Sequence, residues 1–521
     1  MVSGSVATRR TSCARCVDRC TLTADCWTAH GDEGPGGVTD SAEATGLLAS
    51  GFSRRSLIRG AGGLVAAAAA GTLSSGTAAA TVDSTAWTGL RSRLRGTLVL
   101  PEDREYAAVK ALFDRRFDGN APLGVVEVAQ PQDVQAAVSF ARDHGLPIAA
   151  RSGGHSFVGA SASTGALVID VRGLDHITVD ADQVTVGAGV TSLAAVTQLA
   201  ESDLALPIGV CADVGLTGLT VGGGLGADAR RYGMTCDRLV AAELVLPNGE
   251  AIRADATTAP DLFWALRGAG GTTGILTSLT YRTIPATAKD MVRLTFPGDK
   301  AASVLNGWAQ WMPTADRGVY ASVLISADDG LQCLVRMVCP AGTGAAVAAD
   351  LSAAAGIEPS AVDHRTLEYL AAVHDLDSGR PRPGSIRVAG SDVVAQLSPA
   401  AVDTIVDVIA ARSDSGGSGV VVVEPLDGAI QDTAPDATAF PWRAHAAALE
   451  WVVRTPNPVD EAHNWILSAN RAVAPFSSGG YLNHVQPTDT VQRCFAHNFP
   501  RVQFVRQTTD PDRRLRWGIN G

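Results

Sequence analysis

The stretch Gly209–Asp237 constrains this chain more than any other. Eight of its 29 positions are glycine: Gly209, Gly215, Gly218, Gly222, Gly223, Gly224, Gly226 and Gly233. Glycine loses more backbone freedom on ordering than any other residue, so this density makes neither an efficient helix nor an efficient strand. It suits a backbone that lies close to a ligand and turns its N–H groups toward phosphates. A flexible linker would be polar and serine-rich. Here Val214, Leu216, Leu219, Val221 and Leu225 are interleaved with the glycines and anchor them to a core. The spacing is not the strand–G-x-G-x-x-G–helix fingerprint, and the chain contains no P-loop Gly-Lys-Ser/Thr.

The surrounding pattern alternates β and α. Val125–Val128 reads as a strand, and Gln130-Pro131-Gln132-Asp133 opens a helix with Pro at its start and Asp in its first turn. Ile148–Arg151, Leu167–Val171 and Val184–Gly189 read as strands, and Thr191–Glu201 as a helix. A second glycine turn, Arg151-Ser152-Gly153-Gly154-His155-Ser156, sits at a strand end. Farther on, Val319–Ser326 and Gln332–Val338 flank a hairpin turn, Ala327-Asp328-Asp329-Gly330. Ala345–Ala355, Pro399–Arg412 and Pro458–Val473 read as amphipathic helices.

The N-terminus reads as an export signal displaced from the start. Ser53-Arg54-Arg55-Ser56-Leu57-Ile58-Arg59 is a twin-arginine pattern, followed by an Ala-rich run from Ala61 to Ala70 and a small-residue cleavage site at Thr77–Ala80. The run is too short and too Ala-rich to span a bilayer, so no membrane anchor is expected after processing. The 52 residues ahead of the signal point to a true start downstream, near Val38. Cys13, Cys16, Cys20 and Cys26 precede that point, and their spacings fit no strong zinc pattern, so no metal site is expected. Five cysteines remain (Cys211, Cys236, Cys333, Cys339, Cys494), an odd number that leaves at least one outside any disulfide. The formal charge of −11 argues against nucleic acid or anionic membrane as a main partner.

Taken together, three motifs resemble those of the berberine bridge enzyme-like FAD-linked oxidases, a branch of the vanillyl alcohol oxidase and para-cresol methylhydroxylase superfamily. Arg151-Ser152-Gly153-Gly154-His155-Ser156 resembles R-x-G-G-H-S. Gly209-Val210-Cys211-Ala212-Asp213-Val214-Gly215 resembles G-x-C-x-x-V-G and runs on into Gly222-Gly223-Gly224-Leu225-Gly226, Tyr232-Gly233 and Asp237. Tyr481-Leu482-Asn483-His484 and Asn498-Phe499-Pro500-Arg501-Val502 resemble Y-V-N-Y and N-Y-x-R-L. The resemblance covers residues 118 to 521.

It implies an α+β chain: a two-part FAD-binding domain of the para-cresol methylhydroxylase type and an α+β substrate domain with an antiparallel sheet. The expected divisions are 1–80 for the extension and signal, 81–288 for the FAD-binding domain, 289–475 for the substrate domain, and 476–521 for a segment returning to the first domain. It implies FAD bound covalently through His155 (flavin C8 methyl) and Cys211 (flavin C6). Further cofactor contacts are implied for Gly159, Thr217, Gly218, Gly274, Ile275 and Asn483. Val214, just before the last Gly of its motif, would border the space where dioxygen meets reduced flavin, and a small valine there resembles the oxidase version.

The family's second tyrosine of Y-V-N-Y, often the catalytic base, is His484 here. A histidine can serve, with a reference pKa nearer neutrality. Glu450 follows Phe440-Pro441-Trp442-Arg443, which resembles F-P-H-R, and by strand alternation shares a face with Ala448 and Val452. The base is therefore His484 or Glu450, with Tyr481 assisting; Tyr369, Asp375 and Asp377 are the next polar candidates. The resemblance implies a secreted oxidase taking a hydride from a carbon that bears oxygen or nitrogen, with a small-molecule substrate and dioxygen as partners. Alternatives are a dehydrogenase with another acceptor, a tailoring oxidoreductase of secondary metabolism, or a flavin-binding protein without turnover.

Overall fold

The computed structural model describes residues 82–211, 213–377, 386–455 and 459–519. The export signal, its cleavage site, the expected start near Val38 and the four early cysteines lie outside them, as does Ala212. The described chain is α+β and builds three substantial sheets.

The first sheet runs in the order Thr97–Val99, Gly124–Glu127, Leu167–Asp170, Ile148–Arg151, Leu515–Arg516. Its first pair is antiparallel and the rest are parallel. The helix Pro131–Asp143 follows Gly124–Glu127 as expected from its proline start. Its Asp133, fully buried, accepts the N–H groups of Arg95, Gly96 and Ala129, each at 2.9 Å, and so fixes the entry of the first strand. The second sheet is antiparallel, in the order Ile177–Asp180, Gln183–Gly187, Ile275–Arg282, Leu239–Val245, Ala251–Asp255. One apolar core, including Phe140, Val196, Leu199, Phe263 and Tyr281, joins these sheets to their helices.

The third sheet has eight antiparallel strands: Ala361–Leu367, Lys289–Pro297, Gln332–Pro340, Tyr320–Ser326, Val420–Pro425, Ala447–Thr455, Ile386–Val394, Ser477–Gly479. The hairpin between the third and fourth of these turns at Asp329 and Gly330, both with positive φ. Val421, Val423, Leu449, Trp451 and Val453 face helices Ala301–Trp311, Gly344–Ala355, Pro399–Asp414 and Val459–Val473. By alternation the opposite face carries Tyr320, Glu424, Arg387 and Glu450.

The glycine-rich stretch departs from expectation in one respect. Leu216–Val221 forms a short helix between Gly215 and Gly222, despite Gly218. Five of its six residues are buried, and that packing outweighs a glycine penalty of about 1 kcal/mol. All five later cysteines are free thiols.

Candidate active site

Two glycine turns form one wall of a cavity of about 330 Å³. A Cβ on Gly153 would lie 2.3 Å from the Gly215 nitrogen, and one on Gly215 would lie 2.3 Å from the Gly153 nitrogen. Only two bare backbones can meet this closely. The hydroxyls of Ser152 and Thr217 both donate to the Ala188 carbonyl, at 2.7 and 2.9 Å, and stitch the turns together. Gly154 and Gly159 hold positive φ, a conformation few other residues accept. Ser152, Gly153, Gly154, His155, Ser156, Cys211, Val214, Gly215, Thr217, Gly218, Gly274 and Ile275 all line the cavity. His155 stacks on Phe113 with ring centroids 4.1 Å apart, and burial pushes its imidazole below the ordinary value. Burial pushes the Cys211 thiol up, while Arg387 works in the opposite direction.

The other wall comes from the eight-stranded sheet and the C-terminal segment. Glu450 is on a central strand and only 8% exposed, so it is not a solvated edge carboxylate. Its Oε1 accepts from Arg387 Nη2 at 2.7 Å and lies 3.8 Å from His484 Nε2. Burial opposes its ionisation, but His484, Arg387, Arg454 and Arg336 together hold it below the ordinary carboxylate range. Burial lowers His484, with Glu450 pulling the other way. Glu424, on the neighbouring strand, accepts from the Tyr320 hydroxyl at 2.7 Å. Burial, and then the charge of Glu450, raise it to about 7. Glu450 and Glu424 thus form a carboxyl pair whose environments push them apart, the arrangement that separates acid from base roles in one site.

Several expected site residues lie behind the wall instead of on it. The Tyr481 ring lines the cavity, but its hydroxyl accepts from Gly224 N–H at 2.9 Å, Leu225 N–H at 3.3 Å and Asn483 Nδ2 at 3.0 Å. That hydroxyl secures the glycine loop. Gly222, Gly224 and Gly226 let Asn483, Thr235 and the Ile208 carbonyl approach where a Cβ would collide at 1.8, 2.2 and 1.9 Å. Gly223, at positive φ, packs near Met234. Asp237 takes two 2.7 Å bonds from Arg443, tying this loop to the Phe440–Arg443 segment. Tyr232 lies under the Arg231 guanidinium, and Arg151 pairs with buried Asp170 at 2.6 Å. Asn483 does line the cavity while bonding the Leu219 carbonyl. Of the reserve candidates, Asp377 lines the cavity, Tyr369 donates to the Leu206 carbonyl, and Asp375 pairs with Arg293 and Arg365.

Sequence reasoning missed Phe113, Phe157, Arg387, Glu424 and Trp517, all on the cavity. Phe157 directly follows the Arg151–Ser156 motif and was findable as an aromatic beside a cofactor turn; Phe113 carries no such mark and meets His155 only in the fold. The others reach the site only through sheet pairing.

The cavity fits FAD. Gly218 and Gly271 present bare backbone to space that a side chain would fill, and the buried Trp517 Nε1 has no partner among the described residues. Residues 122–255 match the FAD binding domain family. An uncharacterised FAD-linked oxidoreductase of Bacillus subtilis, YgaK, is 28% identical over 441 residues, spanning 82% of this chain and 97% of the relative. The glucooligosaccharide oxidase of Acremonium strictum, described with a 6-S-cysteinyl, 8α-N1-histidyl FAD, superposes with a TM-score of 0.75 at 19% identity, over 82% of this chain and 97% of that one. The 6-hydroxy-D-nicotine oxidase of Arthrobacter nicotinovorans gives 0.70 at 22% identity, over 81% and 96%. This chain is an FAD-linked oxidoreductase with the fold of the berberine bridge enzyme-like oxidases. Among the described residues, no helix is long and apolar enough to cross a membrane.

Proposed function

We propose that the chain is an exported oxidase of a small alcohol, sugar or amine, with FAD attached through His155 and Cys211. The observation that carries this is the convergence of His155, Cys211, His484 and Glu450 on one cavity, from four separate parts of the sequence. The attachments named for the Acremonium oxidase, one histidyl and one cysteinyl, support the same pairing. Bound flavin would accept a hydride from the substrate carbon and pass the electrons to dioxygen, which leaves as hydrogen peroxide.

The chain's own part is the proton. His484 is the base: burial keeps its imidazole neutral at neutral pH and ready to take a proton from the substrate O–H or N–H. Glu450, ionised and 3.8 Å away, stabilises the imidazolium so formed. Arg387 holds that carboxylate in place. Half-buried Val214 leaves a small space on the opposite wall, consistent with access for a diatomic gas.

The test is acid precipitation together with a peroxide assay against a panel of sugars, alcohols and amines. Flavin should stay with the denatured wild-type chain. It should also stay with each single variant, His155→Ala and Cys211→Ala, and leave the double variant. Flavin retained covalently by the double variant defeats the attachment sites. Substrate bleaching of the flavin without oxygen uptake in air defeats the oxidase assignment.

A further inference from the structure

We infer, on the strength of the oxidase reading above, that Glu424 is a specificity-determining residue: its free carboxyl oxygen donates a hydrogen bond to an oxygen of the substrate, and the site takes oxygen-bearing compounds in preference to ammonium compounds. Glu424 stands on Val420–Pro425, the strand between Tyr320–Ser326 and Ala447–Thr455. Ala448 is its partner across the ladder, so Glu450, two residues farther on, is its diagonal neighbour on the same face. The side chain lines the cavity and is only 6% exposed. Its Oε1 accepts from the buried Tyr320 hydroxyl at 2.7 Å. Its Oε2 has no hydrogen bond among the described residues and is the oxygen left to face the cavity. A buried carboxyl oxygen of this kind, open to the space of the substrate, stays uncompensated until a ligand supplies the partner.

The surroundings decide which form of the carboxyl meets the substrate. Glu450 faces Glu424 from one neighbouring strand and Tyr320 from the other, and Arg336 and Arg387 act on it from Gln332–Pro340 and Ile386–Val394. Asp377 and His484 share the cavity with it. The ionised Glu450 is answered by Arg387 at 2.7 Å and by His484 at 3.8 Å. Glu424 has no such cation bonded to it, and burial, then the charge of Glu450, keep its proton on up to about pH 7. Tyr320 already gives its own hydrogen to Oε1, so the carboxyl proton lies on Oε2. A neutral acid is a donor at that atom. It suits a hydroxyl, ether or carbonyl oxygen and has nothing to offer an ammonium, which carries donors only. A site built around such a bond turns away analogues that leave its polar group unpaired.

The experiment uses whole FAD-loaded protein and the compound of the sugar, alcohol and amine panel that releases peroxide fastest. Its half-saturating concentration is read from stopped-flow flavin reduction between pH 5 and 9. In the wild type this concentration should be level up to about pH 6 and climb at least about tenfold by pH 9, as Oε2 loses its proton. In Glu424→Gln, whose amide donates but cannot ionise, the climb should vanish, with the value at pH 6 within about threefold of wild type. Glu424→Leu should raise it about tenfold at every pH, the worth of one hydrogen bond. The acid limb of the limiting rate, assigned to His484, should not move in either variant, which a general disturbance of the wall would not spare. A climb that persists in Glu424→Gln overturns the inference. So does wild-type half-saturation in Glu424→Leu, or a fastest compound that is an amine without any oxygen. A readout free of substrate accompanies these. The infrared difference between pH 5.5 and 8.5 should show a protonated-carboxyl band that Glu424→Gln lacks, and its absence from the wild type overturns the inference whatever the turnover. Peroxide from no compound, with that band present, defeats the oxidase reading instead. Titration of the flavin absorbance with the same alcohols and amines then decides: an alcohol-dependent shift weakened in Glu424→Leu supports the inference, and any other result overturns it.

Discussion

On one side of the cavity the chain offers mostly backbone: Gly153, Gly154, Gly215 and Gly218, with N–H groups and small hydroxyls held by the Ala188 carbonyl. On the other side it offers ionisable side chains: Glu450, Glu424, Arg387 and His484. The first wall works by the absence of atoms, and at Gly153 and Gly215 its tolerance is set by backbone 2.3 Å from any added Cβ. The second works by the balance of burial against charge. The wall that approaches a cofactor must be fixed by sterics, whereas the wall that handles protons must be tunable. Damage to the two should therefore look different.

Gly215→Val should have the largest effect. Its Cβ would meet the Gly153 backbone, which cannot swing aside as a side chain can, so the purified protein should be colourless and inactive. Retention of full flavin absorbance by this variant would break the steric account of the first wall.

His484→Ala should keep its flavin yet slow flavin reduction by about 10²- to 10⁴-fold, the usual worth of a general base. Because burial lowers the His484 pKa, the wild-type rate should stay level from neutrality to below pH 6.5 and fall only in more acid solution, as the imidazole gains its proton. Stopped-flow reduction without oxygen reads both effects. A variant reduced at the wild-type rate places the base elsewhere.

Glu424→Gln tests the tuning directly. The unfolded carboxyl ionises near 4.5 and the folded one at about 7, so between these values the folded state holds the extra proton. Stability contributed by this group is full below 4.5 and is lost as pH rises to about 7, on the order of 3 kcal/mol. Urea midpoints at pH 5 and pH 7.5 should show Glu424→Gln gaining on wild type as pH rises. A pH-independent difference would mean that Glu424 does not titrate in this range.

The smallest effect belongs to Tyr481→Phe. It leaves the Gly224 and Leu225 N–H groups without their acceptor and should cost about 1–3 kcal/mol of stability. The acid limb of the reduction profile should stay where it is, because the tyrosine secures the loop and His484 carries the proton.

The same contrast explains what was legible in the sequence. The steric wall is written locally: Gly153, Gly215 and their neighbours lie in two short motifs, and a glycine packed against backbone advertises itself by its lack of a side chain. Glu450 was legible through the resemblance of Phe440-Pro441-Trp442-Arg443 ahead of it together with strand alternation. Arg387 and Glu424 were not, because each looks like an ordinary strand residue. They meet Glu450 only once Ile386–Val394, Ala447–Thr455 and Val420–Pro425 become neighbours in the third sheet. Sheet order is a long-range property that no window of sequence contains. The partners of the Tyr481 hydroxyl were hidden for a related reason. Its motif gave the position of the ring but not the three donors that claim its oxygen.

The first sheet is closed by Leu515–Arg516 beside Ile148–Arg151, and Arg516 and Trp517 line the cavity. The strand that completes this sheet therefore pairs with a segment far before it in sequence, Leu515 opposite Ile148. Pairing so distant in sequence is slow to form, and until it forms the cavity lacks part of its lining. Enclosure of the cavity thus waits on one of the longest-range pairings in the fold.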